Sequence, residues 1–387
     1  MLSNNMRQIF NKYLSDNSKT KLEQIDYNKT FNLNHNLKEL LGKMIESSMI
    51  DLNVSPDISD IQNIKNIFID FDKEFNKTSE SKFISDIKKM NLLYAVKLYI
   101  FNDVIKINFL VINLEESIGY ISSVLHALHT FCYTFPYSYN HLTINISLDD
   151  NYRDVEWHTK IPEIFDLLRK KSAAFNVSGV TQRNKKIINL TKKEEIIKLM
   201  YHEMIHFIGL DHELINMTSN FQWAIESPGL NFSEAYTEFL SVILYSAYNS
   251  IQLGSISPIN IEELYGKILS IEIFYSAYLT CNILKFYGYN NKTFINFFRG
   301  IGKKNSAPIY IWEYVILRTQ LLLNLEKVAS LIGGKNMWRI NSKTNTEIID
   351  LMKIDDNMIE ILAYYFTNTT PIKNISYTLI SLKWNIV

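Results

Sequence analysis

Two histidines one helical turn apart, with a glutamate beside the first, are the residues of this 387-residue chain best suited to chemistry: His202, Glu203 and His206. They lie in Thr191-Lys-Lys-Glu-Glu-Ile-Ile-Lys-Leu-Met-Tyr-His-Glu-Met-Ile-His-Phe-Ile-Gly209. Residues four apart on a helix project from one face, so the two imidazoles can bind one ion together. Glu203 is about 100° further round, where its carboxylate can reach a water on that ion instead of the ion itself. Zinc held by three protein ligands keeps a fourth position for water, lowers that water's pKa to about 7 and polarises a carbonyl. Glu203 is then placed to take the proton as general base and deliver it to the leaving amine. One zinc ion and hydrolysis of peptide bonds in a peptide or protein substrate are the expectation from these three residues.

The third ligand has two main candidates. His212 completes the run His202-Glu-Met-Ile-His206-Phe-Ile-Gly209-Leu-Asp-His212, which resembles the metzincins, in which glycine turns the chain to bring the last histidine back. Glu234 stands 28 positions after His206 in Asn231-Phe-Ser-Glu-Ala-Tyr-Thr-Glu-Phe-Leu240, on a helix capped by Asn231 or Ser233. This second segment resembles the gluzincins. That resemblance implies Glu234 as a zinc ligand and Glu238, four positions on and preceded by Thr237, as the acceptor that orients the first histidine. A metzincin carries a methionine turn and little helical chain beyond its last histidine, whereas Met217 follows His212 by only five residues and a long helical pattern continues past it. Glu234 is therefore the expected ligand, with His212 next and Glu213 or Glu226 as the remaining alternatives.

A closer resemblance joins Ala174-Phe-Asn-Val-Ser-Gly-Val-Thr181, Lys186-Ile-Ile-Asn-Leu190 and Lys193-Glu-Glu-Ile-Ile-Lys198 to uncharacterised zincin-like proteins of large DNA viruses; it covers about residues 174–245. It implies an α+β, zincin-like fold with a small mixed sheet, a backing helix, an active-site helix and a mainly helical C-terminal subdomain. It also places Lys186–Leu190 as the strand at the cleft edge that accepts an extended peptide, the alternative being an ordinary core strand. The expected division is a mainly helical region over 1–90, a catalytic core over 91–250 and a helical subdomain over 251–387.

Several elements must position these residues. Thr191 and Glu194 at capping-box spacing mark the start of the histidine helix, and Gly209 marks its end. Tyr94–Phe101 and Val104–Asn113, rich in β-branched and aromatic residues, read as a hairpin turning at Asn102-Asp103. Glu115–Phe135 reads as the backing helix, its apolar face made by Ile118, Ile121, Val124, Leu125 and Leu128. On it His126 and His129 read as packed side chains, with no third ligand close in sequence. Leu142–Leu148 is a further strand, Pro162–Lys171 a short helix, Leu37–Ile50 a helix and Asn53–Asp60 a loop around Pro56. Beyond residue 250, helical spacing covers Ile261–Tyr287, Lys292–Arg299, Ile309–Ile332 and Asn345–Phe366, and Ile375–Ile380 could add a strand.

Composition narrows the partners. Lys+Arg and Asp+Glu are both 40, so the net charge is zero and the basic excess of a nucleic-acid binder is missing. Cys132 and Cys281 form no Cys-x-x-Cys pair and read as buried thiols. The start lacks the apolar core of a signal peptide, and no stretch reaches the length of a membrane span, so a soluble intracellular protein is expected. The abundance of Ile, Asn, Lys, Tyr and Phe reflects an AT-rich genome, which fits a large DNA virus, a low-GC bacterium or an AT-rich protist alike. Two other functions fit the same residues: a structural or virion-associated protein in which zinc ties two helices, and a hydrolase of non-peptide amides. Oligomeric state leaves no signal in the sequence.

Overall fold

The computed structural model describes residues 31–75, 82–148, 179–191, 193, 195–215, 217, 221–224, 230–255, 259–301 and 311–368. These form two compact units, one holding the described residues from Leu40 to Gly209, the other holding 31–39 and those from Leu210 onward. The protein is α+β: the first unit carries a six-stranded mixed sheet, and the second is helical.

The sheet contains β1 (Val54–Pro56), β2 (Leu92–Ile100), β3 (Asp103–Val111), β4 (Thr143–Ser147), β5 (Gly179–Gln182) and β6 (Ile187–Leu190), in the spatial order β1-β2-β3-β4-β6-β5. β2 is antiparallel to both of its neighbours, β1 and β3; β3, β4 and β6 run parallel; β5 closes the order antiparallel to β6. Strand alternation sorts the side chains by face. Ile107, Ile144 and Ile188 are in register across the three parallel strands, and the next row is Asn108, Asn145 and Asn189. Those three buried amides form a ladder, Asn108 donating to Asn145 at 2.8 Å and Asn145 to Asn189 at 2.9 Å. Each such bond is worth about 1 kcal/mol net, and a one-residue slip would set the amides against isoleucines, so the ladder pins the register.

Helices cover the sheet. α1 (His35–Ser48) buries Leu40, Leu41 and Met44, while α2 (Ile61–Phe75) and α3 (Lys82–Lys89) enclose Leu110 of β3 with Ile64, Phe68, Phe83, Ile87 and Met90. α4 (Leu114–Thr134) opens at Asn113, whose side chain accepts from the Glu115 amide, and packs on β2, β3 and α5 (Ile196–Ile208), the histidine helix. Phe131 of α4 stacks on Tyr201 of α5 with ring centroids 5.8 Å apart, so the expected backing helix supports the histidine helix directly. His126 is exposed and His129 buried against Tyr133, and both cysteines are buried free thiols.

In the helical unit α6 (Phe232–Gly254), α7 (Ile261–Phe286) and α9 (Ile311–Leu323) pack on one another, with α8 (Phe294–Phe298), α10 (Leu325–Ile332), α11 (Asn345–Leu351) and α12 (Asp356–Asn368) around them. None of the described helices is long and apolar enough to cross a membrane.

Some boundaries differ from the sequence expectation. The segment around Pro56 contains β1, paired with β2, instead of being all loop. The hairpin turns at Phe101-Asn102, one residue early, because Asp103 already pairs with Ile100; Phe101 takes φ +52°. The stretch 309–332 is broken at Asn324, whose side chain bonds the Gln320 carbonyl and Asp355. Pro162–Lys171 and Ile375–Ile380 lie outside the described residues.

Candidate metal centre

α5 ends where the sequence marks it. Gly209 adopts φ +67°, and its amide donates back to the His206 and Ile205 carbonyls. A side chain there would strain the backbone and also strike the Arg183 guanidinium, 2.8 Å from an added Cβ. The start is later than Thr191: Leu190 is still paired with both Ile146 and Gly179, and the chain enters the helix at Ile196 through Glu195 at φ +57°, without a side-chain cap. Glu194 lies outside the described residues.

His202, 7% exposed, and half-buried His206 present their rings together, centroids 4.8 Å apart and planes at 75°. Their Nε2 atoms are 3.2 Å apart. Two zinc–nitrogen bonds of about 2.05 Å at a tetrahedral angle put the nitrogens roughly 3.3 Å apart, so the pair has the bite that the ion requires. One neutral ring can donate to the other at this distance, which keeps the pair preorganised in the apo protein.

Glu203 is 5% exposed and is aimed by β5. Gly179 and Thr181 share one face of that strand by the period of two. The Thr181 hydroxyl is 2.7 Å from Glu203 Oε2 and 3.0 Å from the Glu203 carbonyl, and its hydrogen serves the charged acceptor best. Gly179 leaves room for the carboxylate: a Cβ there would stand 2.6 Å from Oε1 and 2.9 Å from Cγ. This corrects the expected edge strand. Lys186–Leu190 lies inside the sheet, since β6 is flanked by β4 and β5, and β5 is the strand at that edge.

In the helical unit, α6 presents two carboxylates. Asn231 caps it by accepting from the Glu234 amide at 3.1 Å, and Ser233 donates to the buried Asp211 carboxylate. Glu234 is in the first turn, where the positive end of the helix dipole favours an anion. Glu238, one turn on and 5% exposed, receives Arg318 Nη1 at 3.3 Å through Oε2. Thr237 is fully buried.

One ligand atom each of His202, His206 and Glu234 lies within 4.8 Å of the others, a grouping that could hold a metal ion. His212 opens the short 3-10 turn His212–Leu214 and is exposed, as is Glu213; neither belongs to that grouping. Glu226 lies outside the described residues. Sequence reasoning missed Gly179, Thr181, Asp211 and Arg318 as participants. Arg318 had a signal, as a lone cation inside the apolar run Tyr314-Val-Ile-Leu-Arg-Thr-Gln-Leu-Leu-Leu323.

No family model and no solved structure matches this chain. The chain is 41% identical over 379 residues to the Uncharacterized protein R210 of Acanthamoeba polyphaga mimivirus, across 96% of this chain and 98% of that protein. It belongs to the same family. Membership in this mimivirus family supports the viral link expected from the resemblance and from the composition. The likeness reaches well beyond residues 174–245 and spans the sequence of both units.

Proposed function

We propose that the chain is a zincin-like, zinc-dependent peptidase of the gluzincin type, with His202, His206 and Glu234 as the metal ligands and Glu203 as general base. The observation that carries this reading is the 3.2 Å separation of two imidazole nitrogens beside a buried carboxylate. Glu234 is preferred to His212 as third ligand because its carboxylate groups with both rings and the exposed His212 does not.

Zinc, when bound, supplies a Lewis acid that acidifies water and polarises the scissile carbonyl. The chain's residues do the rest. Glu203 takes the proton of the attacking water and passes it to the departing amine, and Thr181 and Gly179 keep its carboxylate in one orientation. Glu238, one turn beyond Glu234 on α6, holds the position that the gluzincin pattern gives to the acceptor of a ligand histidine. An extended peptide pairs along β5, so that main-chain hydrogen bonds carry affinity and alternate side chains carry specificity.

Glu203→Gln is the test. Zinc-replete protein should cleave members of a peptide library, and the variant should hold the same zinc while hydrolysis falls by about 10²–10⁴-fold. Unchanged cleavage by the variant would reject the mechanism. Wild-type protein that binds zinc and cleaves no peptide or amide would favour a structural role for the metal.

A further inference from the structure

β5 ends in a run of cations beside the histidine helix. Past Gln182 the chain enters the 3-10 turn Arg183–Lys185, and Lys186 follows at φ +55°. No acid occurs from Ser172 to Lys193, so Arg183, Lys185 and Lys186 have no carboxylate near them in sequence. Lys186 is engaged, its Nζ donating to the Asn140 carbonyl at 2.9 Å. Arg183 is exposed, and among the described residues its guanidinium has neither an ion-pair nor a hydrogen-bond partner.

The guanidinium is nonetheless held in place. Gly179 and Thr181 of β5 face Glu203, and Arg183 is the next residue on that side by the period of two. It lies against Gly209 at the end of α5, both Nη atoms 2.8 Å and Cζ 3.0 Å from where a Cβ would stand. That seat exists because position 209 has no side chain. A helix C-terminus favours a cation, which accounts for the charge but not for its open donors. Two of the end carbonyls of α5, those of Ile205 and His206, already accept from the Gly209 amide. The fork of N–H groups is left for an acceptor from outside.

Distance relates this cation to the chemistry. Six residues separate Glu203 from Gly209, about 9 Å of helix. An extended peptide advances about 3.4 Å per residue. A peptide paired on the outer edge of β5, with its scissile bond at Glu203, therefore brings the second or third residue from that bond level with Arg183.

We infer that Arg183 is a specificity-determining residue, selecting substrates that carry an aspartate or glutamate two or three residues from the bond that is cut. This deepens the peptidase reading and rests on it. A carboxylate is the matching group, because a guanidinium offers two parallel N–H donors to its two oxygens. The chain as a whole carries no net charge, so the selection is local to the end of β5.

Binding is measured on zinc-replete, full-length Glu203→Gln protein, which takes cleavage out of the readout. Fluorescein-labelled peptides of alanine and threonine, roughly ten residues long to match a strand, carry a single Glu, Gln or Lys, and fluorescence anisotropy gives their Kd. The Glu peptide should bind about 3–10-fold more tightly than the Gln peptide, as a bidentate pair open to solvent would give. That margin should shrink in about 1 M salt. Adding Arg183→Glu should reverse the order and favour the Lys peptide. Should an acid at the end of α5 prevent folding, Arg183→Gln removes the charge alone and should bind the Glu and Gln peptides equally. Equal binding of all three peptides by the parent protein overturns the inference, as does a Glu preference that survives in either Arg183 variant. With Glu203 restored, the same order should appear in kcat/KM and be carried by KM. Arg183-dependent binding of the Glu peptide without cleavage of any peptide would reject the peptidase reading and leave the acidic-peptide site standing.

Discussion

Glu203 owes its aim to a residue without a side chain. Gly179 faces it from β5, and an added methyl would stand 2.6 Å from Oε1, so the carboxylate must swing away or the strand must yield. Gly179→Ala should therefore reduce hydrolysis by about 10²-fold, the usual cost of displacing a catalytic group by an ångström, while zinc content stays at the wild-type level. Parallel assays of metal content and cleavage check it; full activity in the alanine variant would mean that Glu203 does not need this contact. The same residues show what the sequence could disclose. His202, Glu203, His206 and Gly209 are legible because their relation is a spacing within one helix. Glu234 is legible because its helix has a capping signal and a known family pattern. Thr181 lies 22 positions from Glu203 and Arg318 lies 80 from Glu238, and no local pattern encodes such pairs.

At the scale of elements, periodicity located the hairpin, the backing helix and the histidine helix within a few residues, because each is long and has a face to bury. It misplaced the sheet edge. β5 and β6 are four-residue strands, and which of two short strands stands outermost depends on pairing partners remote in sequence. Helix breaks at Asn324 were equally hidden, since the apolar spacing continues across them. The helical unit also carries a titratable group that helix packing itself perturbs. Burial raises the Glu313 carboxyl above its ordinary value of 4.5, and the hydrogen bond from the Tyr287 hydroxyl, at 3.1 Å, only partly offsets this. The protonated form is the one the fold favours, so this contribution is complete below the ordinary value and is lost as pH rises through the raised one. Glu313→Gln keeps the hydrogen bond without the charge. It should melt higher than wild type at about pH 8 and lose that advantage at about pH 4. A constant difference across this range would show that Glu313 is not destabilised by its charge.

For the whole molecule, the family relation and the metal make separate demands. The mimivirus relative matches 96% of this chain, so the likeness spans the sequence of both units. A net charge of zero gives no long-range field to gather a polyanion, which leaves recognition to the local site. The metal's effect on the entire fold is measurable without a substrate. A ligand that binds only the folded state stabilises it by about 2.7 kcal/mol at a hundredfold excess over its dissociation constant. Zinc should then raise the melting temperature of the apo protein by several degrees, and a chelator should reverse the shift. The response also discriminates between the third ligands. Glu234→Ala should abolish most of the shift, since two imidazoles alone grip zinc weakly, and His212→Ala should preserve it. The opposite pattern would transfer the ligand role to His212 and with it the resemblance from gluzincins to metzincins, while leaving His202, Glu203 and His206 in their assigned parts.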